Sequence, residues 1–207
     1  MSAKRITILA LMVALLTGGK TALAWAVPNV EIVTLLLVAY ALILPRRDAL
    51  FVTIIFVLIE ILIWGFLLWW VVLYIIYWPS LVLVVSLLKE KINRRGDILS
   101  PEKEKLYNKR VIFAAIIGVA FTMFFGVLSS FIDVVFIGGI ASITSGIFWQ
   151  SFVSWYMAGI FFYVVHVASS IGTLFFVLPF LYRALKKLIT KIESDSKKSD
   201  PIDDEAV

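Results

Sequence analysis

Apolar stretches too long and too continuous for a soluble core recur along the chain, and they leave it few ways to fold. Ala49–Leu62 is one of them, and its apolar residues do not alternate with polar ones as a barrel strand would require. A helix needs roughly 20 mainly apolar residues to cross the hydrocarbon core of a bilayer. Lipid offers no partner to a free backbone N–H or C=O, so whatever crosses must be a helix or a closed barrel. The sequence therefore predicts an all-α integral membrane protein. Composition agrees: 62% of the 207 residues are hydrophobic and 16% charged, against about half and a quarter in soluble domains. The mean hydropathy is +1.02.

Six transmembrane helices are predicted: Ile6–Val27, Glu31–Leu44, Asp48–Trp64, Trp69–Leu88, Arg110–Ile132 and Trp155–Leu188. Pro28 and Asn29, then Pro45 with Arg46 and Arg47, then Gly65, and then the polar stretch Lys89–Lys109 separate the first five. The connection Asp133–Ser154 is glycine-rich yet apolar, which suits a segment lying on the membrane or dipping into it as a re-entrant piece. Residues 1–192 read as one transmembrane domain, and 193–207 as a disordered cytoplasmic tail of Ser, Lys, Asp and Glu. The start, with Lys4, Arg5 and Ala22-Leu23-Ala24, imitates a signal peptide. Lys20 interrupts its apolar run and equally apolar segments follow, so it reads as the first span.

All of the 19 basic residues except Lys20 fall at the N-terminus, the second and fourth connections, or the end of the last span and the tail. The first, third and fifth connections hold none. Cytoplasmic loops carry the excess of Lys and Arg, so the expected topology has both termini inside. The net charge of +5 then faces anionic lipid headgroups better than it suits nucleic acid. No cysteine is present, which excludes disulfides, thiolate metal ligands and cysteine nucleophiles.

Ala14–Thr21 nearly matches the phosphate loop G-x-x-x-x-G-K-[ST]. That loop lies between a strand and a helix and presents backbone N–H groups to phosphate; a membrane helix does neither. Ala10, Ala14 and Gly18 recur at four-residue spacing, as in helices that approach one another closely in lipid, either within this chain or against a partner. Charges within spans are costly and mark function or pairing. Lys20, Glu31, Glu60 and Asp133 all map to the outer side, where Lys20 pairs with Glu31 or Glu60, or meets a ligand. His166, the single histidine, shares a helical face with Trp155, Gly159 and Phe162 and reads as a packing residue; alone it makes no metal site. Trp64, Phe66, Trp69, Trp70, Tyr74, Trp149, Trp155 and Tyr156 crowd the outer side. An interfacial belt would explain them, and so would the wall of a pocket for a flat organic ligand.

Three stretches together resemble the substrate-binding S-components of energy-coupling-factor (ECF) transporters. They are the small-residue helix running into Ala26-Val27-Pro28-Asn29-Val30-Glu31, the segment from Glu60 through Gly65 and Trp69-Trp70 to Tyr77-Trp78, and Trp155-Tyr156-Met157-Ala158-Gly159-Ile160 through His166. The last is similar to a family stretch W-x-x-[AS]-G-I-P-F-D-x-x-H, with Phe161 in place of the proline and Tyr163 in place of the acid. The resemblance implies a prokaryotic plasma-membrane subunit, without ATPase or other enzymatic activity or a cofactor of its own. It would capture a vitamin from outside and deliver it inward with a transmembrane T-component and two cytoplasmic ATPases. It further implies Ala10 and Ala14 as a docking pair, and a lid in the fifth connection. The expected substrate site comprises Lys20, Asn29, Glu31, Glu60, Trp64, Trp69, Trp70, Tyr74, Trp149 and Trp155. Large Trp-rich connections point to cobalamin or a corrinoid precursor, and Lys20 to an anionic vitamin instead. A self-sufficient carrier or channel, or a membrane scaffold without ligand, are the alternatives.

Overall fold

The computed structural model describes residues 3–26, 30–65, 68–95, 102–139, 143–144 and 146–199. Among them there is no strand. The helices are α1 (Ala3–Ala26), α2 (Ile32–Ile43), α3 (Arg46–Trp64), α4 (Leu68–Arg95), α5 (Glu102–Gly138), α6 (Phe148–Ala158), α7 (Ile160–Gly172) and α8 (Leu178–Ser199). A π-helical turn, Thr173–Val177, joins the last two.

Four stretches are long and apolar enough to cross a membrane: Ala3–Ala24, Leu68–Glu90, Lys109–Gly138 and Ile160–Ile192. Two of the six expected spans differ in kind. Helix α2 has 12 residues and so extends only about 18 Å, well short of a hydrocarbon core of about 30 Å. Helix α3 has 19 residues but carries Arg46, Arg47, Asp48 and Glu60.

The short helix is the centre of the molecule. Every residue of α2 from Val33 to Leu42 is buried, as befits a helix that is apolar on all sides. Helices α1, α3, α4, α5 and α8 and the π turn pack around it. Tyr40, fully buried, donates its hydroxyl proton to the Met12 carbonyl of α1 at 3.1 Å. Both helix ends, which leave backbone groups unpaired, find side-chain partners. At the start, Glu31 is the N-cap and its carboxylate accepts the Thr34 N–H at 3.2 Å. At the other end, Lys89 of α4 donates to the carbonyls of Ala41 (2.8 Å) and Leu44 (2.5 Å). Acid at the N-terminus and base at the C-terminus also match the helix dipole.

Around that second end the polar contacts are cationic. Arg5 of α1 holds Asp48 of α3 through two nitrogens, at 2.6–2.9 Å, and Arg46 approaches Glu90 at 3.5 Å. Lys20 lies about 22 Å further along α1 than Arg5, at the opposite end of the bundle.

Several boundaries differ from expectation. The last span begins at Ile160 rather than Trp155, because the chain turns at Gly159 and leaves Trp155 in α6. Tyr163 explains that turn in part: its ring lies where a Cβ on Gly159 or on Gly126 of α5 would fall, at 2.6 and 2.8 Å. The fifth connection is shorter than predicted, since Val134–Ile137 are apolar enough to continue α5, and Gly139 (φ +74°) ends it. Helices α4 and α5 likewise cover much of the polar fourth connection. Helix α8 continues past Glu193 to Ser199, into the segment whose composition suggested a disordered tail.

Candidate functional site

At the end of the bundle that holds Lys20, helices α1, α2, α3, α4, α5 and α7 contribute side chains to one cavity of about 320 Å3. From α1 comes Lys20, the only charge on an otherwise apolar stretch of that helix. The capping residue of α2 brings Glu31, which is 4% exposed. Helix α4 presents one stripe, because Trp70, Tyr74 and Trp78 are spaced by one turn each and their rings follow one another at 6.3 and 6.2 Å. Helices α5 and α7 add Phe125, Phe162 and His166, and Trp64 from the end of α3 stands at the rim.

Two polar pairs lie in this apolar setting. The Lys20 ammonium meets Glu60 Oε2, and also sits over the Tyr74 ring, 4.8 Å from its centroid. Glu60 is 1% exposed. A carboxylate so placed is tolerable only when paired and hydrogen-bonded. The second pair is His166 Nε2 with Glu31 Oε1 at 2.5 Å. A carboxylate only accepts, so Nε2 carries the proton and donates it. The imidazole is held in the cavity wall by stacking on Phe162 (centroids 5.1 Å, 24° between planes), with Phe125 at 5.5 Å.

Glu31 is fixed as carefully as a buried carboxylate must be. Its backbone N–H donates to Ser169 Oγ at 2.8 Å, and its carbonyl accepts from Thr173 Oγ1 at 3.3 Å. Thr173 is also the first residue of the π turn. The turn shifts the register of the helix carrying His166 against the part that continues as α8, a device frequent at functional sites.

Three polar atoms at or behind the cavity wall are buried and have no hydrogen-bond partner among the described residues: Glu60 Oε1, His166 Nδ1 and Trp78 Nε1. Other buried polar atoms elsewhere in the bundle, Thr17 Oγ1 and Ser86 Oγ among them, also lack one, so this property does not by itself single out the cavity. Among the described residues no three His, Asp or Glu side chains gather as a metal site.

Of the residues singled out in the sequence, the fold brings Lys20, Glu31, Trp64, Trp70 and Tyr74 to the cavity, with Glu60 directly behind Lys20. Trp69 instead packs against the core. Trp149 and Trp155, on α6, are exposed and line no part of it. Asn29 lies outside the described residues. None of the described residues of the fifth connection lines the cavity either. The sequence reading missed Trp78, Phe125 and Phe162 as wall residues, and it expected His166 as a packing histidine bonded to a neighbouring helix without placing it in the wall. The i, i+4, i+8 run of Trp70, Tyr74 and Trp78 was the available signal.

Residues 14–21, the near-match to a phosphate loop, are helical throughout, with Lys20 engaged by Glu60. Along the same helix Ala10, Ala14 and Gly18 are exposed, and no atom lies within 4 Å of a Cβ placed on Gly18. They form one bank of an apolar groove of about 730 Å3, with Phe51, Ile55 and Ile59 of α3 as the other. Comparison with known protein families, with characterised proteins and with solved structures finds no match to the chain.

Proposed function

We propose that this chain is the ligand-capturing subunit of a membrane importer, of the ECF S-component kind that its sequence resembles. The observation that carries the proposal is the aromatic cavity with its two buried polar pairs, set at the end of the bundle away from the arginine and lysine cluster. Concave, mostly apolar sites with a few placed polar groups are the usual form of a small-molecule site. In this proposal six segments cross the plasma membrane of a prokaryotic cell, α2 and α3 included. Both termini are inside, and the cavity faces out. Ala10 and Ala14 then offer their groove to the T-component, whose two ATPases supply the energy. Close approach of a partner helix over small side chains supports that assignment.

The volume bears on the cargo. At about 320 Å3 the cavity lies at the low end of the range for small-molecule sites, so it suits a compact ring system better than a corrinoid macrocycle. A second reading has one specific observation in its favour. The Glu31–His166 contact lies deep among helices, and intramembrane carboxylate–histidine pairs serve proton-coupled carriers.

The test uses the purified full chain. Thermal shift and tryptophan fluorescence against a panel of vitamins and their precursors should give saturable binding by one compact compound, weakened by Trp70→Ala and unaffected by Trp149→Ala. Absence of saturable binding by a well-folded sample would sink the capture proposal. Proteoliposomes separate the two readings: ligand accumulation by the chain alone, driven by a proton gradient, would favour the carrier.

A further inference from the structure

We infer that an anionic phospholipid binds this chain at one defined place between α5 and α8, where Arg110 and Lys186 come together around the Tyr182 ring. Such a site requires only that the chain lie in a membrane, and it stands apart from ligand capture. Arg110 stands at the start of the apolar stretch Lys109–Gly138, and Lys186 near the end of the stretch Ile160–Ile192. Both are places where a spanning helix passes from hydrocarbon to headgroups. Basic pockets between helices at that level bind anionic lipid headgroups.

Packing holds the two cations in position. Val111, Ala114 and Ala115 are buried on α5, as are Leu178 and Tyr182 on α8, and the two helices are in contact. Tyr182, 8% exposed, forms the floor. The Lys186 ammonium, one turn further along α8, lies over that ring, 5.8 Å from its centroid. Arg110 comes from α5, close enough for its charge to act on the Tyr182 hydroxyl. Its Nε is buried without an acceptor among the described residues. The stem is therefore fixed by the protein, and the Nη atoms are left to meet a partner.

Neither cation has a counter-ion. Arg5 holds Asp48, Arg46 approaches Glu90, and Lys89 caps α2, so those three charges are engaged by the protein itself. Among the described residues no carboxylate pairs with Arg110 or Lys186. Two cations set around one ring suit a single phosphate group. The guanidinium can offer N–H groups to its oxygens, and the ammonium adds a point charge. Phe113, one turn further into α5 from Arg110, is 52% exposed. It gives the acyl chains an apolar surface beside the headgroup, which a soluble phosphate would not use.

The experiment titrates the full chain in an uncharged detergent with phosphatidylglycerol, phosphatidylcholine, glycerol phosphate and inorganic phosphate. Native mass spectrometry and thermal shift read the binding. Phosphatidylglycerol should bind saturably and about fivefold or more tightly than phosphatidylcholine. Arg110→Gln and Lys186→Gln should each weaken it about fivefold. Lys109→Gln and Lys187→Gln remove the same charge from exposed positions on the same helices, and should weaken it by at most about twofold. Lys186 is exposed, so its variant keeps the test decisive if Arg110→Gln does not fold. Equal losses in all four variants would reduce the site to diffuse attraction by a basic surface and overturn it. Equal binding of phosphatidylcholine would overturn it too. Displacement of the lipid by glycerol phosphate or inorganic phosphate at matching concentration would give the site to a soluble anion and overturn the lipid.

Discussion

At the scale of single residues, the Lys20–Glu60 pair has the largest expected consequence for stability. Removing one partner of a buried pair leaves the other charge stranded, at a cost of about 3–5 kcal/mol. Lys20→Met should thus lower the melting temperature of the purified protein clearly, while the double change Lys20→Met with Glu60→Leu should recover most of the loss. A melt of the four-member cycle gives the answer, and a double variant no better than the single would remove the pair from the stability argument. Glu31 acts differently, because its carboxylate caps α2 as well as holding His166. Glu31→Gln keeps one acceptor oxygen, enough for Thr34 or for His166 but not for both, whereas Glu31→Ala loses the cap as well, at about 1 kcal/mol for that part. The charges within the apolar runs were legible in the sequence, but their pairing was not. Lys20 could meet Glu31 or Glu60 equally well on paper; the choice depends on how α1 rotates against α3, and one helical sequence does not encode that rotation locally.

Among the elements, α5 and α7 pack through a glycine. A Cβ on Gly126 would fall 2.8 Å from the Tyr163 ring, so Gly126→Ala should destabilise by about 1–3 kcal/mol through overpacking. Adding Tyr163→Leu should restore part of it, which thermal unfolding in detergent would show; failure of the second change to help would mean that the strain lies elsewhere. Lys89→Met is the corresponding test at the end of α2. It leaves the Ala41 and Leu44 carbonyls without a charged donor, and each such bond contributes about 1.5–3 kcal/mol. The existence of helices was easy to read, since apolar runs in lipid have no other outcome. Their ends were harder. Gly65, at φ +88°, ends α3 where the sequence placed a break, whereas the turn at Gly159 became visible only once Tyr163 was seen against its backbone. The aromatic residues divide in the same way. Trp70 and Tyr74 face the cavity and Trp149 does not, because α6 stands apart from the wall that α4 builds.

For the whole molecule, the expected orientation can be checked without background labelling, since the chain contains no cysteine. In intact cells a membrane-impermeant thiol reagent should modify Ser154→Cys and spare Lys187→Cys until the membrane is opened. Both native side chains are exposed; labelling of Lys187→Cys from outside would reverse the proposed topology. The placement of basic residues was the most legible global property, because it depends only on counting along the chain. The central position of α2 was not legible, since an apolar 12-residue run looks alike whether it is central or peripheral. That position has a consequence for how the protein is made. A segment about 18 Å long is too short to partition into the bilayer by itself as it leaves the ribosome. In the six-span topology proposed above, its ten buried residues, Val33 to Leu42, are handed across together with α1 and α3 and gain their neighbours only when α4, α5 and α8 have been synthesised. Until the C-terminal helices arrive, the core of this protein is a segment waiting for its walls, and premature termination after α3 should yield a product that the cell's membrane proteases remove.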